Sequence, residues 1–489
     1  MFRHIPNLEI SNTTGACWTC IMRASEEPDP YREVCDKQLP ACSACIMSGQ
    51  VCEGYHARLR WPQSNNRSRQ PIEARLALYS AVSSLGLPRN DNRLLEHYLK
   101  NLSRISIAID YDGNGWRKLV GVSLNEPALQ NALLAISESH LKRLQRKSTS
   151  QSRFYIHKSL QHLQGRFQEP ALLNNEITLM VLLVLLAYEL CEGTDLWKQH
   201  FTGIAAWCQN RSDLEDIDPF LTTFITMVAT QVVLHSRGEW RQKSYQILER
   251  LLPPCVSQNS VEVILGGSAA LPRLIMEACR LEDDLTAARA LSDQNQIEAV
   301  FISAKVLQSK IRTTQILPES QLQLSLLNAP SSVATPHDGL SIPFESEAFD
   351  LYEAVRCSAE LFRYALHVFV HRIVHDPLSG DGQGVLVQEA ISESLRILPI
   401  IPDTNGPGTF LGWALVVIGA EIDTLDEREF ITRRLESLTL LSVNHGVLAL
   451  KVLNEVWRRR DDLKLGIGLC RRIRWQDVMH DMEVDQALV

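Results

Sequence analysis

Residues 15–55 read GACWTCIMRASEEPDPYREVCDKQLPACSACIMSGQVCEGY, and six of the chain's 12 cysteines fall inside this stretch. They are Cys17, Cys20, Cys35, Cys42, Cys45 and Cys52, so that two C-x-x-C pairs are each followed at a distance by one more cysteine. A C-x-x-C pair offers two thiolates from one tight turn, which is the spacing of a metal grip. Two separate tetrahedral zinc sites need eight ligand positions, and six thiolates fill them only if two sulfurs are shared. Six thiolates around two dications leave a net charge of about −2, so DNA phosphates are repelled unless cations lie close by.

Two other readings compete. Six cysteines also make a disulfide framework, which belongs to an oxidising compartment. Met1–Asn12 has no apolar core of the kind a secretory signal carries, so a reducing environment is expected. A thioredoxin-like C-x-x-C sits between a strand and a helix, but no strand-like alternation precedes Cys17, and one such motif leaves four cysteines unexplained. The remaining six cysteines, Cys191, Cys208, Cys255, Cys279, Cys357 and Cys470, are scattered singly through apolar surroundings and read as inert small hydrophobes.

The segment resembles the binuclear zinc-cluster (Zn2Cys6) domain of fungal transcription factors. The matching parts are Gly15–Cys20, Cys35-Asp36, Pro40–Cys45, Ser48–Cys52, Glu53-Gly54-Tyr55 and the tail Arg58-Leu59-Arg60-Trp61-Pro62. The resemblance implies that Cys17 and Cys42 bridge two structural Zn2+ ions, that Cys20 and Cys35 complete one ion and Cys45 and Cys52 the other, and that Pro40 shapes the loop between the halves. It further implies a short helix in the DNA major groove, with dimer spacing setting the separation of half-sites. All coordination positions are then filled by thiolate, so the zinc is structural and none is open for catalysis.

One departure is physical. The family has six residues, rich in Arg and Lys, between its second and third cysteines, whereas this chain has IMRASEEPDPYREV. Removing Ala24–Tyr31 leaves IMRREV in the ordinary register, so residues 24–31 read as an insertion. Between Ile21 and Val34, Arg23 and Arg32 face Glu26, Glu27, Asp29 and Glu33, a local net charge of −2. Affinity for DNA rises with the number of phosphates neutralised, so this stretch contributes little. The compensating cations are Arg58, Arg60, Arg67 and Arg69, with no acid between His56 and Gln70. The expected DNA-contacting set is therefore Arg23, Arg32, Lys37, Arg58, Arg60, Arg67 and Arg69.

The whole chain of 489 residues carries 49 Lys and Arg against 57 Asp and Glu, a net charge of −8, which excludes a globally basic nucleic-acid binder and requires a local patch. With 24 glycines and 21 prolines, breakers are scarce enough for long helices. The most apolar run, ITLMVLLVLLAY at Ile177–Tyr188, spans about 18 Å as a helix, short of a bilayer core of about 30 Å, and reads as a buried helix closed by Glu189 and Glu192. Ile72, Leu76, Tyr79 and Val82 make a short helical pattern, read as an amphipathic connector rather than a coiled coil. Beyond Asn90 the apolar period is helical: Leu94, Leu95, Tyr98 and Leu102 share a face, as do Leu133, Ile136 and Leu144, flanked by Leu141, and Val355, Phe362, Leu366, Phe369 and Ile373. Asn328–Glu345 reads as a loop between helical halves. His97-Tyr98-Leu99, Leu129–Leu144, Leu182–Glu192 with Trp197–Gly203, and Arg474–Met479 are also similar, in order, to the helical regulatory domain that follows the zinc cluster in these factors.

Several motifs are set aside. Asp110–Gly115 opens like an EF-hand loop, but the twelfth position is Gly121 and not the required Glu, so it reads as a turn between helices. His367, His371 and His375 recur every four residues, yet Arg372 stands where a metalloprotease needs Glu, and the stripe borders an apolar face, so satisfied boundary histidines are expected. Gly380–Gly384 follows Asp376-Pro377 rather than a strand and reads as a loop. Arg458-Arg459-Arg460 and Arg471-Arg472 read as solvated helix faces, with nuclear import or DNA contact as the alternative.

The expected architecture is all-α: a zinc-cluster module at 15–55, a basic linker and connector helix at 56–88, and a helical regulatory domain at 89–489. The expected function is a nuclear, zinc-dependent, sequence-specific DNA-binding transcription factor of the RNA polymerase II type, regulating a set of target genes such as a metabolic or biosynthetic cluster. Its partners are DNA, the transcription machinery and a second copy as homodimer, with no membrane. The alternative is a co-regulator with a degenerate cluster, acting through the helical domain. No nucleophile–base pair or cofactor fingerprint marks an enzyme.

Overall fold

A computed structural model describes residues 19–20, 35–38, 41–50, 52, 87–110, 114–145, 151–211, 213–214, 216–252, 264–314, 351–375, 384–404, 406–439, 445–467 and 473–484. The chain divides into two compact units, Met1–Arg75 and Leu76–Val489. Among the described residues the regular structure is helical, with no strand.

In the first unit, helix α1 (Ser43–Met47) begins at Cys42, whose backbone is extended (φ −72°, ψ 152°) and whose carbonyl accepts the N–H groups of Cys45 and Ile46, both at 3.1 Å. It ends after one turn because Gly49 turns left-handed at φ 64°, letting the Gln50 N–H reach the Cys45 carbonyl at 3.0 Å. Its outer residues Ile46 and Met47 are exposed, and the buried cluster is Cys35, Cys42, Ala44 and Cys45. Among the described residues that is little apolar surface to offset the entropy of ordering the segment, which favours cross-links or metal as its support.

The second unit is built from α2 (Arg89–His97), α3 (Gly115–Ser123), α4 (Pro127–Leu144), α5 (Ser152–Gln168), α6 (Glu176–Glu192), α7 (Trp197–Asn210), α8 (Pro219–His235), α9 (Glu239–Leu251), α10 (Leu271–Leu291), α11 (Gln294–Thr313), α12 (Leu351–Val374), α13 (Val385–Ile397), α14 (Gly412–Gly419), α15 (Leu425–Thr439), α16 (His445–Ile467) and α17 (Trp475–Asp481). Helix α6 contains the apolar run. Asn175 caps it by accepting the Ile177 N–H at 2.8 Å, and Gly193 ends it at φ 73°. Leu179 and Val181–Leu186 are all buried, as a helix apolar on every side must be. It packs on α4 and α7. A second such helix, α14 (GWALVVIG), is buried throughout; its Trp413 stacks on Phe362 at 6.3 Å and meets Phe369 edge-on at 6.2 Å, both from α12. Helix α12 also packs on α10, α11 and α13, and α8 against α10 joins the earlier helices to the later ones. The face of Leu94, Leu95, Tyr98 and Leu102 is buried, and so are Leu133, Ile136 and Leu141. No helix of the described residues is long and apolar enough to cross a membrane.

Three of the minor motifs are decided by local chemistry. Asp110 pairs with Arg117, and Asn114 caps α3 by accepting the Trp116 N–H at 2.9 Å, so these side chains serve a helix start. The arginine run in α16 is a solvated, ion-paired face at Arg458 and partly at Arg459, and departs from that expectation at Arg460. Arg458 pairs with Glu455 at 2.8 Å and Asp462 at 2.6 Å, and Arg459 with Glu455 at 2.7 Å and Asp481 at 2.5 Å. Arg460 is buried, donating to the carbonyls of Ala420 at 2.7 Å and Ile422 at 2.9 Å and pairing with Asp423. Its guanidinium is used to close the end of α14, which removes it from any outward basic patch. The histidine stripe is likewise only partly as expected. His371 and His375 stack with ring centroids 4.0 Å apart, but His367 is buried, and its Nδ1 has no hydrogen-bond partner among the described residues. The loop 328–345, the connector pattern at 72–82 and Arg471-Arg472 lie outside the described residues, as do residues 380–383 of the glycine-rich loop.

Candidate metal centre

Five of the six clustered cysteines are described, and they converge. The Sγ atoms of Cys20, Cys35 and Cys42 lie within 4.8 Å of one another, and so do those of Cys42, Cys45 and Cys52. Cys42 belongs to both groups. Its sulfur is 3.7 Å from that of Cys20, which in turn is 3.9 Å from that of Cys45. A disulfide requires about 2.05 Å. Thiolates at about 2.3 Å from one tetrahedral zinc are about 3.8 Å apart, so the sulfur spacing fits the edge of a zinc tetrahedron. Cys35, Cys42 and Cys45 are buried and Cys20 and Cys52 half-buried. The helical start at Cys42 accounts for part of this convergence: with Cys42 as cap and Cys45 in the first turn, both side chains rise from one side.

The segment after Cys35 is tied to α1 by Asp36. Its Oδ1 accepts the backbone N–H groups of Ser43 at 3.0 Å and Gln38 at 3.4 Å, and its Oδ2 accepts the Ser43 hydroxyl at 2.5 Å. The Ser43 hydroxyl holds the Asp36 carboxyl below its ordinary range. The role of Asp36 lies outside the metal-ligand spacing, and its signal in the sequence is an acid followed seven positions later by a serine at a helix start. Lys37 is exposed. Cys17, Arg23, Arg32, Arg58, Arg60, Arg67, Arg69, Pro40 and the insertion at 24–31 lie outside the described residues.

Residues 93–488 match the fungal specific transcription factor domain. The chain belongs to this family. No curated protein and no solved structure matches it. A fungal transcription factor domain makes the chain a regulator of transcription, and the family is one of transcription factors rather than of enzymes.

Within the fungal transcription factor domain, the scattered stretches that carried the resemblance have packing roles. His97 Nε2 lies 2.8 Å from His140 Nδ1, which joins the His97-Tyr98-Leu99 stretch to α4. Trp197 and Phe201 of α7 meet Trp240 of α9, with centroids 6.1 and 6.5 Å away. Arg474 pairs with the buried Glu282 of α10, which also receives Arg241 Nη1 at 3.0 Å. Arg241 Nη1 reaches Asp283 at 2.7 Å as well, and the Tyr245 hydroxyl donates to Asp283 at 2.9 Å. Burial works against the Glu282 charge, but Arg474 and Arg241 outweigh it and hold the carboxyl below its ordinary value. Glu282→Ala is therefore expected to cost about 3 kcal/mol, since it takes the buried carboxylate from Arg474 and leaves Arg241 with Asp283 alone. Urea denaturation of the full chain checks this, and a loss under about 1 kcal/mol contradicts it.

The scattered cysteines behave as hydrophobes. Cys208, Cys279 and Cys357 are buried, and burial pushes the thiols of Cys191, Cys208 and Cys357 up to about 11, far from thiolate at neutral pH. Cys255 and Cys470 lie outside the described residues.

Proposed function

We propose that this regulator binds DNA sequence-specifically through a binuclear zinc cluster at 15–55 and acts in the nucleus on RNA polymerase II promoters. Two structural zinc ions are held by Cys17, Cys20, Cys35, Cys42, Cys45 and Cys52, with Cys17 and Cys42 shared. The observation that carries this reading is the pair of thiol groups with Cys42 in common, which supports a shared sulfur. Arg23, Arg32, Lys37, Arg58, Arg60, Arg67 and Arg69 are the phosphate- and base-facing cations, most of them in the linker at 56–88. The helical domain at 89–489 carries the regulatory contacts, including any homodimer. The zinc does no chemistry on a substrate; it fixes a fold that presents cations to the duplex.

The full chain is expected to carry two zinc per chain by atomic absorption and to select a duplex from a random pool. Its log affinity should fall linearly with log salt, by about 0.9 per phosphate contact. Replacing Arg58, Arg60, Arg67 and Arg69 together by Ala should lower that slope by about 3–4. A zinc-free chain under reducing conditions overturns the metal reading. A zinc-loaded chain that selects no duplex overturns DNA binding and leaves the second reading: a co-regulator acting through its helical domain. The local net charge of −2 across Ile21–Val34 is the observation in favour of that alternative.

A further inference from the structure

Lys37, Ser292 and Glu483 are the described non-glycine residues with positive φ. Ser292 follows the end of α10, and Glu483 lies just past α17, where a left-handed residue closes a helix. Lys37, at φ 61°, lies instead in the irregular stretch Cys35–Gln38. A residue with a Cβ is disfavoured in this conformation, and glycine would adopt it freely. A strained residue that persists needs a structure that enforces it, and a reason to keep its side chain.

The enforcing structure is the Asp36 carboxylate. One oxygen takes the Gln38 N–H at 3.4 Å, closing a turn around Lys37, and also the Ser43 N–H at 3.0 Å. The other takes the Ser43 hydroxyl at 2.5 Å. Asp36 directly follows Cys35, and Ser43 directly follows Cys42, so one carboxylate ties together the neighbours of two cysteines whose sulfurs share a group. The exposed Lys37 side chain is a cation beside six thiols whose cluster with two zinc ions carries a net negative charge.

We infer that Asp36 is a positioning residue with two outputs: it fixes the spacing of Cys35 and Cys42 around a common metal, and it holds Lys37 in a strained turn as a presented cation for a DNA phosphate. This rests on the zinc-cluster reading above. The ion held by Cys20, Cys35 and Cys42 feels the clasp directly. The ion held by Cys45 and Cys52 feels it only through Cys42.

The test uses zinc-loaded full chain. Chelator-driven release is followed with 4-(2-pyridylazo)resorcinol, and affinity for the pool-selected duplex is measured against salt. Asp36→Ala is expected to speed release of the first zinc about tenfold and leave the second slower. Ser43→Ala gives a smaller effect, and the double variant releases no faster than Asp36→Ala alone, because both act through one interaction. Asp36→Asn, which keeps an acceptor for the Ser43 N–H, restores part of the lifetime. Lys37→Asn tolerates the left-handed backbone, so it leaves release unchanged while lowering the salt slope by about 0.9. Lys37→Arg keeps the slope. Asp36→Ala releasing both ions at the wild-type rate, or effects of Asp36→Ala and Ser43→Ala that simply add, overturns the clasp. A wild-type slope in Lys37→Asn overturns the presented cation. A wild-type chain without zinc sinks the underlying metal reading before any variant is compared. One with zinc but no duplex binding overturns the Lys37 half, while the release rates still decide the clasp.

Discussion

Cys42→Ala is expected to strip both zinc ions from the chain and unfold residues 15–55, while Cys52→Ala should lose one ion first. Cys42 is common to both thiol groups, whereas Cys52 belongs to one. A structural zinc contributes about 10–16 kcal/mol to the folding of a small module, and nothing else among the described residues of this segment is comparable. Among the described residues its buried cluster is Cys35, Cys42, Ala44 and Cys45, three of which are themselves candidate ligands. Cys42 also serves as the cap of α1, but alanine leaves the backbone bonds to its carbonyl intact, so the loss should come from the sulfur. The helical body should be untouched, because it is a separate compact unit with a core of its own among the described residues. Atomic absorption and far-UV circular dichroism read the two consequences separately: zinc per chain falls from two to none, and the helical melting transition stays in place. Two zinc retained in Cys42→Ala would refute the shared sulfur. Loss of one ion only would show that Cys42 serves a single metal.

What the sequence reveals here depends on how local the physics is. The cysteine centre is legible because chelation by C-x-x-C is set over three residues, and the ligand groups are close in the chain. Helix α6 is legible because an apolar run of that length has one economical fate in a helical protein. The all-α class follows from the sustained apolar period after Asn90. The buried ion cluster is a different case. Glu282 meets Arg241 and Arg474, which lie 41 and 192 positions away in sequence, and no local pattern marks either as its partner. Arg460 shows the same limit: within an arginine run it reads as solvated, and only the end of α14, packed beside it, makes it a buried donor. His367 has the apolar neighbours its spacing announces, but among the described residues not the hydrogen bond that burial of its Nδ1 would ordinarily require.

Mild acid is the second condition under which a large change is expected, this time in the helical body. His97, His200 and His367 are buried, and burial pushes each of them down to about 4 from an ordinary 6.5. Arg93 adds to the effect at His97, and Arg312 and Arg363 at His367. All three are neutral in the folded chain at pH 7. His97 is further committed by its neighbours, with His140 at 2.8 Å on one ring nitrogen and Asn101 at 3.1 Å on the other. Below pH 6.5 the unfolded chain takes up protons at these positions and the folded chain does not, so acid favours unfolding. Their stability is therefore complete above about pH 6.5 and is drained as pH falls toward 4. At pH 5 each accounts for about 2 kcal/mol, on the order of 6 kcal/mol together, against a typical total of about 5–15 kcal/mol. The urea midpoint of the helical transition is expected to hold level from pH 8 to 7 and then fall steeply to pH 5. His371, lowered to about 3 by burial and by the charges of His375, Arg372 and His367, is a fourth such site, so His200→Gln should remove about a quarter of that fall. A midpoint that stays level down to pH 5 would mean that these imidazoles are charged inside the fold, and the buried-neutral assignment would be wrong.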